Sequence, residues 1–460
     1  MQPLVNGKNM QTNKIIHGKV FPTLVKFALP VMLALFLQAL YGAVDMWVVG
    51  RYAETSDVSG VSTGSMLIQT VTMIISGLSV GVTVLVGRRI GQEEYDLAAR
   101  AIGGGIFIFS ILAIIFTSVS LLLPQQLATL MNAPSEAFDQ TVQYIMICGG
   151  GFVFIIAYNL LGSIFRGIGD SKTPLITVAI ACLINIPADI LFVKVLHMGA
   201  AGASCATVMA QAVSVLISLI VIKKKDLPFK FRIQMIKPQK SIILTELGLG
   251  VPIAFQELLV GISFLVIMAI VNSIDVASSA GVGVAEKVCA FIMLVPSAFS
   301  QSMSAFVAQN MGAQKTNRAQ NALICGILTS FACGLVMFYL AFFHGDILCG
   351  IFSKESDVIL RGHSYLKAYA IDCLLTPFLF CFIGYFSGLG RTTFVMLQGI
   401  VGAFFVRIPV VYLISRIKDC TLFQIGLATP CSTTVQIILC LIMLIFVTKT
   451  MKNKKSNLRI

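Results

Sequence analysis

Residues 101–123 read AIGGGIFIFSILAIIFTSVSLLL, 23 positions without a charge between Arg100 and Pro124. At about 1.5 Å per residue such a helix is roughly 35 Å long, enough to cross the ~30 Å hydrocarbon layer of a bilayer. It is apolar all round, which fits lipid contact better than the single apolar stripe of a surface helix. Working outward, the same texture recurs at 22–50, 58–86, 139–165, 173–196, 200–222, 243–271, 276–307, 319–343, 359–387, 392–415 and 421–447. With 98–123 these make twelve spans. Of the 460 residues, 57% are apolar and 12% charged, and the mean hydropathy is +0.91. Soluble domains carry about 25% charge. A water-soluble enzyme and a disordered chain are both excluded, and the expected fold is an all-α integral membrane protein.

The net charge of +13 would suggest nucleic acid in a soluble chain. Here it reads as positive-inside topology and contact with anionic lipid headgroups, with no nucleic-acid partner. With both termini on one side, that side collects 24 basic residues and the other seven: Arg51, Lys194, Lys354, Arg361, Lys367, Arg416 and Lys418. Such a bias predicts a multi-pass protein of the cell (inner) membrane with both termini cytoplasmic. The N-terminus is polar through Lys14 and shows no short apolar stretch before a small-residue cleavage site, so the first apolar run is expected to remain as a helix. The twelve cysteines form no CxxC pair and read as small buried hydrophobes.

The halves repeat. An offset of 221 pairs Gly60 with Gly281, Gly91 with Gly312, Ala98 with Ala319, Gly105 with Gly326, Tyr144 with Tyr365, Gly167 with Gly388 and Gly169 with Gly390. An offset of 222 pairs Pro30 with Pro252 and Pro187 with Pro409. Six spans per repeat is an even number, so both repeats enter from the same side. That predicts two parallel, pseudo-symmetric six-helix lobes around a central cavity near the midplane. The expected organisation is a cytoplasmic segment over 1–20, an N-lobe over 21–222 and a basic linker over 223–242. A C-lobe follows over 243–448, with a basic cytoplasmic tail over 449–460. The paired prolines mark expected kinks.

Charges inside a bilayer are costly and point to function. Asp45 lies six residues inside Arg51, about 9 Å from that face, and Asp189 five inside Lys194, about 7.5 Å. Asn185 sits one turn from Asp189 on the same face, and Thr207 descends from the sixth span to a comparable depth. Two carboxylates and two neutral oxygen donors in one slab can trap a proton or Na⁺. In the second half the intramembrane charges are Glu257, Glu286, Lys287, Asp372 and Arg407, and Arg407 falls at the counterpart of Asn185. Opposite charges there can pair structurally, while Glu257 or the Asp372/Arg407 region can instead touch substrate. Gln38, Tyr41 and Gln256 complete the expected cavity lining. Phosphate-loop and HExxH patterns are absent, the GxG at 167–169 reads as a tight turn, and no cofactor or metal centre is expected beyond a Na⁺ at the acidic site.

Leu29-Pro30 and the run Leu40-Tyr41-Gly42-Ala43-Val44-Asp45-Met46-Trp47-Val48-Val49-Gly50 resemble the first helix of the MATE (multidrug and toxic compound extrusion) family. Arg166-Gly167-Ile168-Gly169-Asp170, Asn185-Ile186-Pro187-Ala188-Asp189 and Gly202-Ala203 with Ala206-Thr207 resemble its fourth-to-sixth helix signatures. The likeness spans about 20–448, nearest to the DinF-like branch. It implies a cation site at Asp45, Asn185, Asp189 and Thr207. Gly162 stands where the family places a polar residue, and Val260 where the NorM-like branch has an acid. The implied activity is secondary antiport: export of organic, often cationic, amphipathic compounds against inward H⁺ or Na⁺, by a monomer and without a cofactor. The alternative of the same architecture is a flippase for lipid-linked oligosaccharide. A membrane-embedded enzyme lacks any catalytic constellation.

Overall fold

In the computed structural model, residues 10–225, 232–417 and 420–457 are described. Residues 1–9 of the N-terminal segment, 226–231 of the linker, 418–419, and 458–460 of the tail lie outside the described residues, as do the side chains of 10–13, 233, 276 and 451–457.

The twelve expected spans are α1 Val20–Tyr52, α2 Thr55–Gly91, α3 Tyr95–Leu122, α4 Phe138–Gly150 with Phe152–Ile168, α5 Lys172–Asp189, and α6 Gly199–Lys224. The second set is α7 Lys240–Asn272, α8 Val276–Ile292 with Leu294–Gly312, α9 Thr316–Phe343, α10 Ser356–Gly388, α11 Thr392–Ser415, and α12 Leu422–Gly426 with Ala428–Asn457. Eleven of these are long and apolar enough to cross a bilayer as they stand, and α4 supplies the twelfth as a pair bent by 53°. No strand occurs among the described residues. All twelve cysteines are free.

The sharpest bend therefore lies at the 149–151 glycine run of α4, where no proline stands. There the backbone approaches its neighbours so closely that a Cβ on Gly149 or Gly151 would collide with Ser120 or Val208. Pro30 and Pro252, by contrast, sit inside helices that run on uninterrupted. Pro187 and Pro409 border π-helical segments, Ile190–Val195 extending α5 and Val401–Arg407 within α11. A proline supplies no N–H to the helical ladder, and a widened turn is one way to accommodate the resulting mismatch.

The repeat is visible in the turns. Gly169 (φ 97°) ends α4 in the left-handed region and Gly390 (φ 77°) does the same after α10, a conformation that glycine alone adopts without steric cost. Phe165 O accepts from the Gly169 and Asp170 N–H groups, and Phe386 O accepts from the Arg391 N–H. The GxG is thus a helix-terminating turn. Asp170 then caps α5: its carboxylate accepts from the Lys172 and Thr173 N–H groups at 3.0 and 3.1 Å, and pairs with Lys225 at the end of α6. Asp170→Ala removes a buried cap and strands a lysine. The expected loss is about 1–3 kcal/mol, read as a lower melting midpoint of the purified protein. An unchanged midpoint would count against this role.

Both described ends lie on one face, here called the basic face, and the lobes meet there. The first half of α1 (Leu24, Phe27, Ala28) packs into the C-lobe core, whereas its far end (Val48, Val49) belongs to the N-lobe core. Reciprocally, Gly250 and Ala254 of α7 press on Leu78 and Gly77 of α2. At the basic ends of α2 and α8 the exchange becomes a clasp. Arg88 donates to Leu389 O at 3.1 Å and Gln309 to Gly167 O at 2.8 Å, each reaching into the other lobe. Gly91 and Gly312 permit it, since a Cβ on either would land on the Gln309 or Arg88 carbonyl oxygen. The short helix Met10–His17 lies over this seam. Buried Ile15 touches Gly169 of the N-lobe, while its carbonyl accepts from Asn310 and Arg318 of the C-lobe. Toward the opposite face, the outer half of α8 packs on α7 and α10 of its own lobe. The clasp contacts fasten the two lobes together at the basic face.

Candidate functional site: an acidic pair and two cavities between the lobes

Gln38, Tyr41 and Asp45 stand three and four residues apart on α1, one face of a helix. Asn185 and Asp189 stand one turn apart on α5, with Asp189 at the junction to the π-helical segment. The packing of α1 on α5 brings the two carboxyls against each other. Asp45 is 8% exposed and Asn185 and Asp189 are 0% exposed. One oxygen of Asp45, both of Asp189 and both polar atoms of Asn185 find no hydrogen-bond partner among the described residues. Two adjoining carboxylates in such a place repel, and a proton shared between them or a cation between them removes the repulsion. Thr207 on α6 is half-buried one turn from Gln211, whose amide donates to the Tyr41 hydroxyl at 3.3 Å.

The structure adds residues that sequence reasoning did not assign. Buried Tyr144 and Cys148, one turn apart on α4, neighbour Asp45, and Gly64 of α2 gives the Tyr144 ring room to approach. Tyr144 was visible only as half of a repeated tyrosine pair. Further along α1, Gln38 donates to Tyr158 Oη at 3.3 Å. Arg166, two turns beyond Tyr158, donates to Ser163 Oγ at 2.8 Å, which in turn donates to Ser79 Oγ at 2.7 Å. Glu246 on α7 is 2% exposed, lies against Gly104 of α3, and both its oxygens are unpartnered among the described residues.

Two cavities abut where the lobes meet. The first, about 80 Å³, is lined by Gln38, Tyr158, Asn159, Arg166 and Thr177 of the N-lobe, with Ser76 and Gln301. The second, about 190 Å³, shares Ser76 and Gln301 and is lined by Glu257, Ser300, Phe380 and Ser387. Of the expected lining residues, Gln38 and Glu257 face these cavities. Tyr41 sits with the acidic pair instead. Gln256 is buried against Gly399 of α11. Asp372 and Arg407 are buried in the C-lobe, where Arg407 donates to Ser263 Oγ at 2.9 Å and lies 4.4 Å over the Phe264 ring. Asp372 neighbours Arg407 and Thr433. No group of three or more His, Cys, Asp or Glu side chains with metal-holding geometry occurs among the described residues.

The MatE family model matches residues 30–191 and again 252–413, two segments of equal length offset by 222. The chain belongs to the MatE family. It is a multi-pass membrane transporter of twelve helices in two pseudo-symmetric lobes, not an enzyme. This MatE chain is 27% identical over 396 residues to the probable multidrug resistance protein YpnP of Bacillus subtilis (strain 168), covering 85% of this chain and 87% of that one. It is 23% identical over 426 residues to the multidrug export protein MepA of Staphylococcus aureus (strain MW2), covering 90% and 91%. Among solved structures, the outward-facing conformation of a multidrug resistance MATE family transporter of the MOP superfamily overlays with a TM-score of 0.90 at 18% identity, covering 96% and 99%. A MOP superfamily transporter from Pyrococcus furiosus Vc1 (DSM3638) overlays at 0.89 and 19% identity, covering 94% and 97%. At those identities the likeness is one of fold.

Proposed function

We propose that this protein is a secondary antiporter that exports organic, amphipathic compounds in exchange for inward H⁺ or Na⁺ by alternating access. The basic face is cytoplasmic in this reading, following the positive-inside rule, and the cell membrane is the site of action. The carrying observation is the Asp45–Asp189 pair, buried in one lobe with Asn185 and largely without protein partners. A buried acid pair of this kind is an exchangeable cation site. Occupied, it is electrically satisfied; empty, it is strained. Substrate bound nearby and a cation bound here then favour different access states, and that difference is the coupling. The likeness to YpnP, a probable multidrug resistance protein, and to the multidrug export protein MepA supports multidrug substrates. The flippase alternative calls for a cationic central cavity, whereas the larger cavity here is lined by Glu257 and no base.

In proteoliposomes, an imposed pH gradient without Na⁺, then a Na⁺ gradient at uniform pH, should each be tried with ethidium as substrate. One of them is expected to drive uphill accumulation. Indifference of transport to both gradients would overturn antiport.

A further inference from the structure

The two abutting cavities carry opposite, isolated charges. In the smaller, Arg166 is the sole lining base and there is no lining acid. Its guanidinium donates to Ser163 Oγ and forms no ion pair among the described residues. In the larger, Glu257 is the sole lining acid with no lining base, and it too lacks an ion pair among the described residues. An unpaired charge away from bulk water is expensive, and a protein seeking only stability would have used neutral residues at both places.

Volume restricts what can occupy each. About 80 Å³ accommodates a carboxylate or sulfonate group but not a whole drug-like molecule, for which roughly 300 Å³ is the lower bound. Only the two abutting spaces together approach that bound, so the body of a ligand seated at the small cavity extends past Ser76 and Gln301 into the 190 Å³ space beside Glu257. The donors around the small cavity (Gln38, Tyr158 and Asn159, with Arg166) suit an acceptor-rich anion, and arginine suits a carboxylate in particular because its planar fork can bind both oxygens. Gly162, one turn before Arg166, leaves the guanidinium edge uncovered: a Cβ there would be 3.3 Å from Nη1.

We infer that the preferred substrates are dipolar amphiphiles, with an acidic group seated on Arg166 and a cationic centre facing Glu257 across Ser76 and Gln301. A purely cationic compound satisfies Glu257 and leaves Arg166 unpaired. A dipolar compound satisfies both. This rests on the antiporter reading and sharpens its substrate class.

The test uses two dyes of one scaffold, rhodamine B (a dipolar carboxylate) and its ethyl ester (a cation), with efflux measured for each at equal gradient. Wild type should export rhodamine B, and Arg166→Gln should lower the rhodamine B to ester ratio at least tenfold, while Glu257→Gln should move it the other way. Should Arg166→Gln fail to fold, Gly162→Asp keeps the arginine and supplies an internal carboxylate one turn away, with the same tenfold fall expected. An unchanged ratio in these variants overturns the inference. So does a wild type that exports the ester but not rhodamine B, an outcome that leaves antiport standing. Export of neither dye overturns the inference as well, while antiport is decided by the response of ethidium transport to the two gradients.

Discussion

Replacing Asp45 by Asn should reduce gradient-driven efflux by at least a hundredfold while the protein still reaches the membrane in normal amount. The substitution preserves shape and removes the ability to hold a proton or cation between two carboxyls. Because Asp45 is buried and only partly satisfied, neutralising it relieves desolvation strain, and the melting midpoint should hold or rise. Asp189→Asn should behave alike, and the double variant should lose little more than either single one, as expected of groups that act as a unit. Substrate exchange across a membrane without a gradient separates the effects: binding and translocation of dye should survive better than uphill transport. Full uphill efflux by Asp45→Asn in vesicles would remove this residue from the coupling site.

The second large effect concerns the clasp. Gly91→Val should cut transport at least tenfold, because its Cβ would fall on the Gln309 carbonyl oxygen and near the Ala313 amide, both backbone. Backbone cannot swing aside as a long side chain does, so the closed seam must part; overpacking of this kind costs about 1–3 kcal/mol, and each 1.4 kcal/mol is a factor of ten in population. Ala308 is fully buried in the seam against Gly87, so Ala308→Cys reports on it. Its labelling by an impermeant thiol reagent, resolved from the native cysteines by mass spectrometry, should rise when Gly91→Val is added. Gly91→Ala should give an intermediate value. Equal labelling with and without the valine would show that the seam does not require this glycine.

What the sequence disclosed follows from the periods involved. Apolar runs as long as a bilayer is thick leave few alternatives, and an offset held within one residue over most of the chain identified the lobes. Asp45 and Asp189 were legible because a charge inside such a run is conspicuous and depth along a helix is simple arithmetic. Side-to-side packing was not. Nothing in one sequence states that α1 lies on α5, that Tyr144 neighbours Asp45, or that Tyr41 faces Asp45 and Gln211 and not a cavity. Arg166 was read through its turn motif, which hid its side chain. The prolines drew attention as kinks, whereas the strongest bend came from crowding at the 149–151 glycine run, a property of three helices together. Glu246 drew no reading from the sequence, yet α3 covers it.

The reciprocal grip at the basic face has an evolutionary corollary. Arg88 and Gln309 both fasten onto peptide oxygens, Leu389 O and Gly167 O, which every residue type possesses. A lineage can therefore exchange the groups that greet its cargo, even reverse their sign, without redrawing the lock that holds the door shut. Diversification of taste and conservation of machinery become separable problems in this architecture.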